Sequence, residues 1–188
     1  MTVQINGTTG VTTPGLTTDT SVANTSSTLT GESLTRIKTY TAQNSTSGTQ
    51  VEFLSIPSWA KKITISLIAV STNGTFNPVF QLGSTTYITS GYAGSQSLIT
   101  TGVAVANLSS GFSIGGAGAA SSRGGVYTLT LNSANFWVIS GSSGFSDSAA
   151  TAIIAGYVQL SGTLDRLRLY AGGTDTFDNG IVNILVEG

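Results

Sequence analysis

The chain has 188 residues, of which 39% are hydrophobic and 8% charged, with a formal net charge of −1. Without histidine or cysteine it has no disulfide, no thiolate metal site, no cysteine nucleophile and no histidine-served serine nucleophile. The charge balance supplies no basic field for nucleic acid or anionic lipid, and no apolar run approaches the ~18 residues of a bilayer-spanning helix.

Residues 1–31 are dominated by Thr and Ser, with Gly and Pro breaking any regular element. The start, Met1-Thr-Val-Gln-Ile-Asn-Gly7, has neither a basic region nor an apolar stretch, so no signal peptide is expected there. Apolar residues are too sparse for a core, and the segment is read as an extended arm. Such an arm docks on a neighbour through backbone hydrogen bonds. Its expected docking residues are Val3, Ile5, Val11, Pro14 and Leu16.

Residues 32–50 read as a connecting strand (34–41) followed by a polar loop (43–49). From residue 51 the pattern becomes regular. Strands are expected at 51–56, closed by Pro57, and at 62–70, where Ile63, Ile65, Leu67 and Ala69 share one face. Ile68 and Val70 lie on the other face, so this strand is expected to be central. Further strands are expected at 78–82 and 87–89. Residues 91–121 are rich in Gly, Ala and Ser with scattered apolar anchors and no strand is assigned there; 115–122 read as a flexible or tightly apposed loop. Strands resume at 126–131, 136–140, 151–160, 164–170 and 181–186.

No long segment shows a 3.6-residue period. About ten short strands without helical crossovers imply antiparallel pairing. The expected fold is all-β: an antiparallel sandwich of jelly-roll type over residues 51–188, carried by the extended arm. Few charges mean weak repulsion between copies, and leftover apolar surface is hidden in a homo-oligomer. The Ile68/Val70 pair and the run 152–155 are candidate subunit contacts.

Chemistry has little material. Asp165, Asp175 and Asp178 are the only candidates for a carboxylate pair of the glycosidase kind. Their Gly-rich neighbours favour turn formation instead. Asp175 and Asp178 with Asn179 could at most hold a structural Ca²⁺. The glycines of 111–118 have no following Lys-Ser/Thr and open no helix, so they are not a phosphate loop. No catalytic, cofactor-binding or metal-ligating residue is assigned, and no cofactor is expected. Most aromatics sit inside strands, where packing is their default role. Tyr87 and Tyr92 flank a loop and are the candidates for an exposed contact, for example with a sugar ring.

Two stretches resemble virion proteins of tailed bacteriophages. The start, Val3-Gln-Ile-Asn-Gly-Thr-Thr-Gly-Val-Thr-Thr-Pro-Gly15, looks like the segment that opens many fibre-like proteins. Ile56-Pro-Ser-Trp-Ala-Lys-Lys-Ile-Thr-Ile65, with 70–83, 160–169 and 173–187, is similar to a module at the ends of tail-fibre-like proteins. The resemblance implies a homotrimeric knob on the virion surface, assembled in the bacterial host cytoplasm. It implies an N-terminal segment attached to other virion proteins of capsid or tail, and no catalytic site. The short chain points to a short fibre or a capsid-decorating head fibre. Host-surface glycan is the further expected partner; nucleic acid and membrane are not. A carbohydrate-binding adhesin with exposed aromatics at 85–95 or 117–123 stays open, as does a polysaccharide depolymerase using the three aspartates.

Overall fold

Buried and exposed positions alternate with period two along most of the longer strands, as half-buried sheets require. The computed structural model describes residues 36–115 and 121–188, so the arm residues Val3, Ile5, Val11, Pro14 and Leu16 lie outside the described residues. The described residues form strands and no helix. In chain order they are β1 (Ile37–Thr39), β2 (Gln43–Asn44), β3 (Gln50–Leu54), β4 (Lys62–Thr72), β5 (Val79–Ser84), β6 (Thr86–Tyr87) and β7 (Ala93–Ile99). There follow β8 (Val103–Asn107), β9 (Phe112–Ser113), β10 (Arg123–Leu131), β11 (Phe136–Phe145), β12 (Thr151–Gln159), β13 (Arg166–Tyr170) and β14 (Phe177–Glu187).

All pairings are antiparallel, in two packed sheets. The large sheet has the order β1-β14-β4-β10-β11-β12-β7-β8, with β2 also on β14. The small sheet has the order β3-β13-β5-β6, with β9 also on β5. Taking β1, β3, β4, β5, β6, β10, β13 and β14 as strands one to eight, the two orders read 1-8-3-6 and 2-7-4-5. That is the double Greek key of a jelly roll. Beyond β10 the large sheet continues through β11, β12, β7 and β8, forming a flange outside the jelly roll. β1 and β2 both pair with β14, so the stretch read as a connector lies in the large sheet.

The core lies between the sheets. Ile63, Ile65, Tyr127, Leu129, Trp137 and Ile184 face it from the large sheet, and Val51, Phe53, Phe80, Leu82, Leu167 and Leu169 from the small one. Phe80 and Tyr127 meet edge-to-face across it, with centroids 5.2 Å apart. Each fully buried aliphatic or Phe side chain contributes about 1.5–3 kcal/mol.

The expected central strand is β4, flanked by β14 and β10. Its two apolar faces have a local cause. Ala69 has φ 52°, and the register slips there against both neighbours, a two-against-one β-bulge. Ile68 therefore points outward, 64% exposed, while Val70 returns to the core. Gly180 makes the bulge possible: at φ 108°, a Cβ there would stand 2.5 Å from the Val70 Cα. Of the subunit contacts expected from sequence, Val70, Ala152 and Ile154 are buried in the subunit's own core, leaving Ile68, Ile153 and Ala155 exposed.

β7 and β8 lie within 91–121, where no strand is expected from the sequence. Gly, Ala and Ser dilute the apolar alternation on which strand recognition depends. Pairing with β12 supplies the order that composition does not. β3 stops at Leu54, earlier than Pro57 would dictate, because Ser55 turns the chain with φ 57°.

Candidate functional site

Polar chemistry gathers on the outer face of the small sheet. Along β13, Leu167 and Leu169 point into the core, so Arg166, Arg168 and Tyr170 point out. The register places Glu52 of β3 and Gln81 of β5 on either side of Arg168, and Gln50 beside Tyr170. β6 brings Tyr87 against the same face. The Arg168 Nε donates to Gln81 Oε1 at 2.8 Å and its Nη1 to Gln50 Oε1 at 2.6 Å. Its guanidinium stands 4.3 Å from the Tyr87 ring centroid and 5.0 Å from that of Tyr170. Each such contact contributes about 0.5–1 kcal/mol where exposed. Two amides and two rings thus hold one cation flat against the sheet.

Arg166 extends the cluster, 5.8 Å from the Tyr87 ring. Its Nε donates to Asp165 Oδ1 at 2.7 Å, and Asp165 Oδ2 accepts from the Thr85 N–H at 3.0 Å. Arg166 holds the Asp165 carboxyl below the ordinary carboxylate range, and the Thr85 N–H adds to this. Burial pushes the Tyr87 phenol upward, and the neighbouring Glu52 carboxylate pushes it further. The result is a plane of guanidinium, amide, carboxylate and phenol edges, suited to a hydroxyl-rich ligand.

Tyr87 therefore takes the half-buried place in this cluster. Tyr92, expected beside it as an exposed contact, is buried at 5% exposure. Its ring meets Phe112 edge-to-face at 4.8 Å. Its hydroxyl accepts from the Leu82 N–H at 2.9 Å and donates to the Ile88 carbonyl at 3.3 Å. The ring extends the core beneath the 88–92 turn and satisfies backbone groups there; nothing in composition distinguishes this from an exposed loop tyrosine. Trp137 is a core residue, and Trp59 packs against the core.

Asp165 and Asp175 do not converge. Asp165 precedes β13 and Asp175 follows it, so five residues at ~3.3 Å each hold them ~17 Å or more apart, beyond the ~5–10 Å of a glycosidase pair. Asp175 Oδ2 accepts from the Phe76 N–H at 2.8 Å, and Asn73 Oδ1 accepts from the Thr176 N–H at 2.9 Å. These two bonds zip the 73–76 loop to the 172–176 loop. Asp178 Oδ1 accepts from the Ser71 hydroxyl. Among the described residues no group of three or more acidic side chains stands close enough to hold a metal ion.

Two hollows stand out among the described residues. One, of about 280 Å³, lies at the β4 bulge between Ile68, Ala69, Gly180 and Ile181, without a charged group. The other, of about 300 Å³, lies between Leu98, Phe145 and Asp147. Neither adjoins the Arg168 cluster. The alternation of Arg166, Arg168 and Tyr170 is visible in the sequence, but their partners Gln50, Glu52 and Gln81 come from distant segments. No protein family, no curated protein and no solved structure matches this chain.

Proposed function

We propose that this chain is a non-enzymatic structural protein of a tailed-phage virion. It forms a homotrimeric short fibre or decoration knob at the virion surface, attached to capsid or tail through residues 1–31. The single observation that carries this reading is the partition of charge between the two outer faces. Glu52, Arg166 and Arg168 stand on the small sheet, with Asp165 at its margin. On the β4–β14 part of the large sheet, Lys62 and Glu187 neutralise each other at 2.9 Å, and Asp178 accepts from the Ser71 hydroxyl. One side thus suits water and ligand, and the other suits contact with further copies. The jelly roll supports the reading at the level of fold, since viral capsid and lectin domains use it. The likeness of the opening residues and of the C-terminal module to fibre-like proteins supports it from sequence.

Particles from a lysate of the encoding genome test it. Gold-labelled antibody against residues 36–188 is expected to decorate them, and a chain lacking residues 1–31 is expected to leave them bare. Unlabelled particles carrying the intact chain refute the virion role; labelled particles carrying the shortened chain refute the arm.

A second reading, a carbohydrate-binding adhesin, is favoured by the Tyr87–Arg168–Tyr170 stack. On a glycan array the intact chain is then expected to retain a discrete set of sugars. Arg168→Ala and Tyr87→Ala are expected to abolish retention without loss of fold. An array without signal for the intact chain removes this reading.

A further inference from the structure

We infer that the flange formed by β11, β12, β7 and β8 is the surface through which copies of this chain join. The inference rests on the homo-oligomer in the reading above and names its contact. None of the residues in these four strands is charged. Antiparallel pairs share a face, so the registers define the outer surface. One row crosses the strands as Val126, Ser142, Ile153, Ser97 and Val105. Beside it stand the pairs Val138–Tyr157 and Ile99–Val103. Val103 and Val105 are 67% and 65% exposed, and Ile153 is 46% exposed.

β8 is the extreme case. All five of its residues are exposed, so neither of its faces is covered. Among the described residues it ends the large sheet and pairs with β7 alone, leaving one row of backbone groups without a strand partner there. Proteins blunt such edges with charge, proline or a bulge. Val103-Ala-Val-Ala-Asn107 carries none of these.

A second copy is the occupant that fits. A partner of opposite charge has nothing to grip on an uncharged face. An identical face meets no like-charge repulsion. In the central row aliphatic residues alternate with serines from strand to strand. The size also fits. β10 with the four flange strands spans roughly 24 Å, and about seven residues along each strand span roughly 23 Å. The projected patch is about 550 Å², and side-chain relief raises its accessible area toward the ~600–1,000 Å² per partner of a stable interface.

Light scattering of the full chain after size exclusion tests the inference. The chain is expected at a multiple of its 19.1 kDa mass, three-fold for the proposed trimer. Ile153→Lys combined with Val105→Lys is expected to reduce this to 19.1 kDa with an unchanged circular dichroism spectrum. Leu54→Lys, an exposed aliphatic on the small sheet, is expected to leave the mass unchanged. A monomeric wild type overturns the inference, as does an oligomer that survives the double substitution. Hydrogen exchange on the wild type decides the matter if the double variant misfolds. Backbone amides of Val103–Asn107 are expected to exchange more slowly as concentration rises through assembly; unchanged exchange in an oligomer overturns the inference. Particle labelling is independent of these outcomes, so the virion reading stands or falls separately.

Discussion

Arg123→Ala is expected to cost the fold about 2–5 kcal/mol, the range for truncating a buried side chain and leaving buried carbonyls without donors. Arg123 opens β10 and is among the largest fully buried side chains. Its Nε donates to the Gly115 carbonyl at 2.9 Å and its Nη1 to the Ser121 carbonyl at 3.0 Å. The guanidinium thus ties together the two ends of the 115–121 segment, and stands 5.5 Å from the Phe145 ring. Burial pulls its pKa below the ordinary guanidinium range, while Tyr127 and Asp147 partly offset that pull. Truncation removes both donors and opens a cavity under β10. Arg123→Lys keeps a charge but not the planar fork, so an intermediate loss is expected. Urea midpoints at neutral pH measure all three proteins. A loss under about 1 kcal/mol for the alanine variant would mean that the two carbonyls find other donors.

Alkaline unfolding is expected between about pH 10 and pH 12. Burial pushes the phenols of Tyr92 and Tyr127 up to about 12, against 10.0 for a free tyrosine. Tyr87 is raised as well. The fold favours the neutral phenol, so this stability is fully present below the unfolded value near 10. It is lost as pH rises through the folded value near 12. The gap of about two pH units is worth about 3 kcal/mol per tyrosine. Without histidine, little stability is expected to change between about pH 6 and pH 9. On the acid side the sign reverses. The depressed Asp165 pKa makes its contribution present above about 3.8 and lost as pH falls below it. Its solvent exposure keeps that contribution small. Phenolate absorbance and denaturant midpoints, followed together against pH, check the alkaline limb. Tyr92→Phe is expected to flatten part of it. Phenols that all titrate near pH 10 while the fold persists would contradict the burial described.

Much of the architecture is legible in residue order. The alternation in Ile63-Thr-Ile-Ser-Leu67, Val126–Leu131 and Arg166–Tyr170 marks half-buried strands, because a pleated chain turns every second side chain to one side. Turn residues between short strands imply antiparallel pairing, and the jelly-roll sandwich follows. The expected turn holds at Asp175, although its carboxylate accepts from the Phe76 N–H rather than from its own backbone, whereas Asp178 lies within β14 and accepts from Ser71 of β4. The scarcity of ionisable groups needs no structure at all.

Other features depend on contacts between segments far apart in the chain. β7 interrupts its apolar residues with Gly, Ser and Gln, and β8 is a short Val-Ala alternation set among Gly and Ser; β12 orders β7, and β7 orders β8. The Ala69 bulge needs Gly180 opposite it before Ile68 and Val70 can part company. Whether a loop tyrosine is exposed or buried depends on what lies beneath it. Tyr87 rests on Arg168, whereas Tyr92 closes over Phe112. Local period and composition act within a few residues, and they suffice to dictate a charge-poor, pleated, antiparallel protein. Which uncharged face stays open and where Arg168 is clasped follow from register, which joins strands that are distant in the chain and would exchange their two faces on a shift of one residue.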